Sequence, residues 1–227
     1  MIARMTPARY SQFCALARAA ELVGERWTLL IVRDLLLGPK RFSDLRAGLD
    51  GISSSVLAER LARLEQAGVV RRTVLDPPAA STVYELTDDG RALQPAIFEL
   101  IRWGGRFLLP PRPGERMEPD WMRLALAACA RKSPTPERSF EVHVWEGEKS
   151  AVIHVVGGPD GTSVTEGPAA ADATIRANGL AVLGLMAGLV SPEEAIRNGQ
   201  IEAEGDLAAL SVFSQLFAVG ADQEVNM

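Results

Sequence analysis

The sequence predicts two domains of different class: a mostly helical one closed by a two-stranded hairpin, then an α+β one. Three observations carry this. Helical spacing of apolar residues runs to about residue 67 and returns after residue 87, with a β-branched stretch between. The segment Leu108–Asp120, LLPPRPGERMEPD, then interrupts the pattern and reads as a linker. Beyond it the period falls to two, as in strands, before helical spacing resumes. The expected boundaries are 1–108, 109–120 and 121–227.

Phe13–Leu37 reads as two helical stretches broken near Gly24, with Trp27, Leu30, Ile31 and Leu35 on one stripe, and Gly38-Pro39 stops it. A short helix fits Ser43–Leu49 with Ser43 as N-cap, and Asp50-Gly51 turns into a longer helix, Ser54–Ala67. Ser53 is its expected N-cap, and Ile52 can staple onto Leu57. Leu57, Leu61 and Leu64 form the face to be buried, and Gly68 ends the helix. Val69–Leu75 and Thr82–Leu86 bracket a proline-stiffened tip that ends at Ser81, which makes a hairpin. A last helix starts after Thr87 and runs to about Phe107, kinked at Pro95.

In the second domain, Trp121–Arg131 is apolar nearly all round and must be buried. Strands are expected at Phe140–Trp145, Ala151–Val156, Ser163–Glu166, Ala173–Ala177 and Gln200–Glu204, with a turn at Gly157–Gly161. Helices fit Gly179–Ala187, Ser191–Asn198 and Leu207–Val219, the second begun by Ser191 as N-cap and Pro192 at the first position.

Composition excludes several classes. A chain of 227 residues that is 47% hydrophobic and 23% charged is not disordered over most of its length. No apolar run reaches the ~18–20 residues of a membrane span, and the start lacks a secretory h-region, so the expected compartment is the cytoplasm. Two cysteines and two histidines are too few for a disulfide framework or most zinc sites, and no cofactor or metal is called for. With no phosphate loop, nucleophile elbow or paired His/Glu helix, an enzyme is not expected. The net charge of -5 argues, alone, against nucleic acid. Residues 1–110, however, hold 15 Lys+Arg against 12 Asp+Glu, a net of +3, while residues 111–227 hold 9 against 17, a net of -8.

Helix, tight turn, serine-capped helix and hairpin, in that order, make a winged helix-turn-helix. Such a fold needs one helix with an apolar face for its own core and the opposite face free to enter the major groove. Ser55, Glu59, Ala62 and Arg63 lie opposite the leucines, with Arg60 at the margin. Ser53, Ser54 and Ser55 sit near free backbone N–H groups that meet phosphate. Arg60 and Arg63 can contact phosphate or guanine and Glu59 can accept from cytosine N4, while Arg41, Arg72 and the hairpin's Ser81 flank the helix. The alternative is that Arg60 and Arg63 form a solvated face paired with Glu59 or Glu65.

Cys14, LVGERWTLLIVRDLLLGPKRFSDL (Leu22–Leu45), GISSSVLAERLARLEQAGVVRR (Gly51–Arg72), VYELTDDGRAL (Val83–Leu93) and RWG (Arg102–Gly104) resemble, in order and spacing, the HxlR-type winged-helix regulators of bacteria. The resemblance implies a homodimer on a pseudo-palindromic DNA operator. It also implies that the terminal helices, Arg9–Ala20 and Leu93–Phe107, hold the dimer through Phe13, Phe98, Ile101 and Trp103; intramolecular core is the other role for the last three. Some members of that family sense oxidants or electrophiles through a cysteine near Cys14, which is otherwise a small packing residue.

From Asp172 on, LAVLGLMAGLVSPEEAIRNGQIEAEGD and a final apolar helix resemble the sterol carrier protein type 2 fold, through Gly188, Pro192, Ala195, Gly199, Gly205 and Asp206. That resemblance implies a strand-helix platform around a pocket for a small apolar ligand. Its expected lining is Phe140, Val142, Val144, Val152 and His154 from the strands, with Leu183, Met186, Leu210, Phe213 and Phe217 from the helices. On an apolar strand, however, His154 is more often a hydrogen-bonded interior histidine than a ligand.

Overall fold

A computed structural model describes residues 10–76, 78 and 80–219. The chain divides into two compact units between Ile97 and Phe98, inside a helix and ahead of the proline-rich stretch. Arg9 of the first terminal helix and Pro77 and Ala79 of the hairpin tip lie outside the described residues.

The first unit runs α1 (Ala15–Val23), α2 (Thr28–Leu36), α3 (Phe42–Gly48), α4 (Ser54–Gln66), β1 (Val70–Val74), β2 (Thr82–Leu86), α5 (Asp88–Arg91) and the start of α6 (Gln94–Gly104). Helix α2 starts only at Thr28, which turns its buried stripe to Thr28, Ile31, Val32 and Leu35. Leu30 is therefore exposed, and Trp27 sits ahead of the helix. Nor does Ser43 cap α3. The helix begins at Phe42, and the Arg41 N–H donates to Asp44 Oδ2 at 3.2 Å, a carboxylate being the stronger acceptor beside a helix N-terminus.

Helix α4 follows its sequence signals. Ser53 Oγ accepts from the Val56 N–H at 3.2 Å, and Leu57, Leu61 and Leu64 are buried. At the other end, Val69 N–H donates to Leu64 O at 2.9 Å, closing the helix as the chain enters the hairpin. β1 and β2 pair antiparallel from Val70↔Leu86 to Val74↔Thr82. Lys40 adds a third edge by exchanging backbone hydrogen bonds with Tyr84, at 3.0 and 2.8 Å.

The hairpin leads straight into α5. Thr87 Oγ1 accepts from the Gly90 N–H at 3.1 Å, and its hydroxyl donates to Gly68 O at 2.5 Å. Gly90 is pressed against the hairpin root: a Cβ there would stand 2.1 Å from Val69 O. The single kinked helix expected from Thr87 to Phe107 is instead α5, a break, α6 and a 3-10 turn, Gly105–Phe107. Pro95 lies in the first turn of α6, where a missing N–H costs nothing, so the proline starts a helix rather than kinking one.

The second unit is a five-stranded sheet in the order β5-β4-β3-β6-β7, made of β3 (Ser139–Glu146), β4 (Lys149–Gly158), β5 (Gly161–Glu166), β6 (Ala173–Asn178) and β7 (Ile201–Gly205). Only β3 and β6 pair in parallel. Phe140, Val142 and Val144 of β3 and Ile153 and Val155 of β4 face a core shared with α7 (Pro119–Cys129), α8 (Gly179–Met186) and the 3-10 segment Leu207–Leu216, while α9 (Pro192–Arg197) contributes Ala195. That last segment was expected to be α-helical. Leu210, Phe213 and Leu216 recur every three residues, and a three-residue turn buries all three on one side, while Leu207 at its start is exposed. Gly205, at φ +91°, brings its Cα so close to β6 that a Cβ would lie 2.5 Å from Asp172 O.

The other side of the sheet is polar. Glu141 and His143 join at 2.6 Å between Oε1 and Nε2, and Glu141 Oε2 accepts the Ala169 N–H at 3.0 Å. The His143 hydrogen bond, then the Ala169 amide, hold the Glu141 carboxyl below the usual carboxylate range. Among the described residues no helix is long and apolar enough to cross a membrane.

Two outcomes follow. Leu61→Ala removes a fully buried side chain and should lower stability by about 2–5 kcal/mol in urea titration; a loss below about 1 kcal/mol would contradict the packing. Because folding lowers the pKa of Glu141, its contribution is present above the ordinary carboxylate value and disappears as pH falls through the lowered one. Wild-type protein should thus lose more stability than Glu141→Gln between about pH 5 and pH 3; equal losses would remove the role given to this pair.

Candidate nucleic-acid interface

Burial of Leu57, Leu61 and Leu64 sets the rotation of α4 and leaves Ser54, Ser55, Ala58 and Glu59 exposed on the other side. Ser53 serves as the cap, and its hydroxyl also lies 3.0 Å from that of Ser55. The N-terminal turn of α4 thus carries small hydroxyl side chains beside backbone N–H groups, the local arrangement that receives phosphate.

Arg60 and Arg63 do not extend from this surface. Both fold back onto Glu25, in the loop between α1 and α2, and their side chains are only 14% and 27% exposed. Arg60 also reaches Glu59 at 3.1 Å, and Arg63 stands 3.6 Å from the same carboxylate. Pairing with Glu59 was one sequence alternative. Glu25 was not, because it lies 38 residues from Arg63 and no helical spacing links them.

Three more arginines are oriented by neighbours. Arg41 Nε donates to Ser81 Oγ at 3.0 Å, joining the start of α3 to the base of the hairpin tip. Arg72 pairs with Glu65 at 3.0 Å and lies over the Tyr84 ring at 5.2 Å. Arg71 pairs with Glu85 at 2.8 Å, and Thr73 donates to the same oxygen at 2.6 Å. The Thr73 hydroxyl first, then Arg71, keep the Glu85 carboxyl below its ordinary pKa, so this arm of the hairpin stays ion-paired at neutral pH. The partners of Arg71 and Arg72, Glu85 and Tyr84, are not predicted by the sequence, because they sit on the opposite strand and only the hairpin register brings them together.

The residues named for self-association divide by exposure. Phe13 is fully exposed just ahead of α1, with Tyr10 and Leu16 also exposed. Phe98 and Ile101 are half-buried, and Trp103 is exposed, stacked edge-on with Phe107 at 5.1 Å between centroids. Cys14, the residue before α1, is an exposed free thiol.

The expected ligand lining is split by the sheet. Phe140, Val142, Val144, Met186, Leu210, Phe213 and Phe217 come together in the core, with Leu183 packed at its edge. Phe213 stacks edge-on against Phe140 at 5.1 Å and Phe217 at 5.2 Å, so these side chains fill the space between sheet and segment. Val152 and His154 belong to the other side, because Ile153 and Val155 of the same strand point inward and side chains alternate. His154 is opposite Glu141 in the ladder, and its Nε2 is buried with no hydrogen-bond partner. An open hollow of about 470 Å³ lies elsewhere, between Arg102, Cys129, Arg131, Lys132 and Ala218. There Arg102 donates to Ala128 O at the end of α7, and burial pushes the Cys129 thiol up.

Comparison with known proteins places both units. Residues 22–111 match the HxlR-like helix-turn-helix family, and residues 123–218 the SCP-2 sterol transfer family. The chain is 41% identical over 93 residues to the HTH-type transcriptional regulator YvaP of Bacillus subtilis, across 41% of this chain and 86% of YvaP. It is 41% identical over 92 residues to the HTH-type transcriptional regulator YodB of the same organism, across 40% of this chain and 82% of YodB. A solved structure of reduced YodB from B. subtilis is 38% identical and covers 44% of this chain and all 100% of that one, with a TM-score of 0.38. YvaP and YodB align to less than half of this chain, and each is covered nearly throughout. A serine-capped helix beside an arginine-bearing hairpin is thus a DNA-binding unit, and the chain belongs to the HxlR-like helix-turn-helix family of transcriptional regulators.

Proposed function

We propose that the protein is a homodimeric, non-catalytic cytoplasmic regulator that seats α4 in the major groove of an operator, with its hairpin on the flanking backbone. The observation that carries this is the N-terminal half of α4. Its leucines are buried, its first turn is capped by Ser53, and Ser54, Ser55 and Glu59 remain exposed. Arg41, Arg72 and Ser81 stand on the adjoining elements, where phosphate contacts fix register. Self-association is supported by the bare apolar side chains of Tyr10, Phe13 and Leu16, which a monomer leaves in water.

The second unit, on this proposal, binds a small apolar molecule that alters operator affinity. Support comes from its match to a family described by sterol transfer and from an inner sheet face made of aromatic and aliphatic side chains. Phe213 and Phe217 occupy that face, so a ligand has to displace the Leu207–Leu216 segment and thereby prefers one of two conformations. Such differential affinity is what regulation by a ligand requires.

A second reading makes Cys14 the switch, favoured by the exposure of its thiol. Cys14→Ser separates the two: an oxidant response of DNA binding that survives this substitution rules the cysteine out.

Footprinting on the region upstream of the protein's own gene should give a pseudo-palindromic protected site whose affinity falls steeply with salt. Absence of sequence-specific protection would end the operator reading. Native mass spectrometry of purified protein should report a dimer and a co-purified apolar molecule; a monomer without added mass would contradict both.

A further inference from the structure

A helix that enters the major groove commonly reads guanine through bidentate arginine. Helix α4 has two arginines, and the protein itself holds both. Glu25 places Oε2 on Arg60 Nη2 and Oε1 on Arg63 Nη1, so one carboxylate bridges two guanidinium groups. Glu59 touches both from their own helix, and Arg60 Nε adds a contact to Arg26 O at 3.4 Å. Two positive and two negative charges cancel along the middle of the helix.

The loop that carries Glu25 is itself fixed. The Gly24 N–H donates to Ala20 O at 2.9 Å, and the Thr28 N–H to Glu25 O at 3.1 Å. Trp27 adopts φ +80°, a left-handed conformation that a tryptophan holds only where its surroundings impose it. Arg26 covers the Trp27 ring at 4.6 Å. Glu25 is therefore presented to α4 by a rigid, strained turn rather than drawn there by chance.

We propose that Glu25 is a positioning residue that sets operator specificity. By keeping Arg60 and Arg63 on the protein it withholds them from guanine and from phosphate, and it leaves base reading to Ser54, Ser55 and Ala58. Those short side chains suit an edge that arginine would misread: hydroxyls exchange weak hydrogen bonds with any base, and the Ala58 methyl fits the thymine methyl. Neutralising the helix also weakens attraction to DNA of any sequence, so discrimination rests on what the short side chains meet in the groove rather than on charge. This inference rests on α4 being the major-groove helix.

The test is fluorescence anisotropy of the full chain on the footprinted operator and on a random duplex, each over a range of salt. Glu25→Gln should bind random duplex about two- to fivefold tighter, with the log–log salt slope steeper by about 1 to 2 as the arginines reach phosphate. Its preference for the operator should shrink. The double variant Arg60→Gln/Arg63→Gln should keep the wild-type preference, and adding Glu25→Gln to it should leave that preference and the salt slope unchanged. Glu25→Asp, too short to bridge both guanidinium groups, should fall between wild type and Glu25→Gln, and it serves if the glutamine variant does not fold.

Three outcomes would overturn the role of Glu25: an unchanged salt slope and preference in Glu25→Gln, an effect that persists in the double-arginine background, or loss of operator preference in that background. Wild-type protein with no operator preference at all overturns the functional reading beneath it, and is seen before any substitution is made.

Discussion

Three leucines on one side of α4 govern what the first unit can present to DNA. Leu57, Leu61 and Leu64 are each at most 1% exposed, and burying a leucine is worth about 1.5–3 kcal/mol. Partly exposed ion pairs such as Arg72–Glu65 contribute about 0–1 kcal/mol. Helix rotation is thus decided by the apolar stripe, and charge has no comparable say. Electrostatics then acts on a surface already chosen, setting where guanidinium groups point rather than whether the helix docks. Each of Arg60, Arg63, Arg71 and Arg72 leans on a carboxylate from elsewhere in the unit, so where each guanidinium group points is set by the fold.

The second unit applies the same one-sided burial to a sheet. Strand β3, between β4 and β6, alternates Phe140, Val142 and Val144 with Glu141, His143 and Trp145, and the inner three vanish into the core. The outer three meet polar neighbours: Glu141 bonds His143, and Arg176 on β6 reaches Glu204 on β7 at 3.0 Å. Covering one side of the sheet with α7, α8 and the 3-10 segment keeps the acidity of this half on the outside. The opposite balances of the two halves, +3 and -8, are therefore properties of two surfaces, and the whole-chain -5 describes neither.

What was legible in the sequence is what short-range physics decides. The Ser53 cap, the leucine stripe, the hairpin and the inward residues of β3 all follow from spacings of two to seven residues. Ends and faces fared worse. Ser43 lost the cap of α3 to Arg41, whose N–H Asp44 accepts, Pro95 starts a helix instead of kinking one, and a three-residue repeat became 3-10. Val152 and His154, expected in the apolar lining, lie on the other face because Ile153 and Val155 of the same strand take the inner one. Glu25 was invisible for a different reason. Its partners lie beyond two helices, α2 and α3, and only tertiary packing brings them to it.

The close approach of Gly90 to Val69 has a mechanical meaning. With no room for even one carbon atom between them, and with Thr87 tied to Gly68 and capping α5, the short helix and the root of the hairpin form a single joint. Motion of α5 cannot be absorbed by sliding over β1. The two elements can only act as one piece, and Ser81, just ahead of β2, ties that piece in turn to Arg41 at the start of α3.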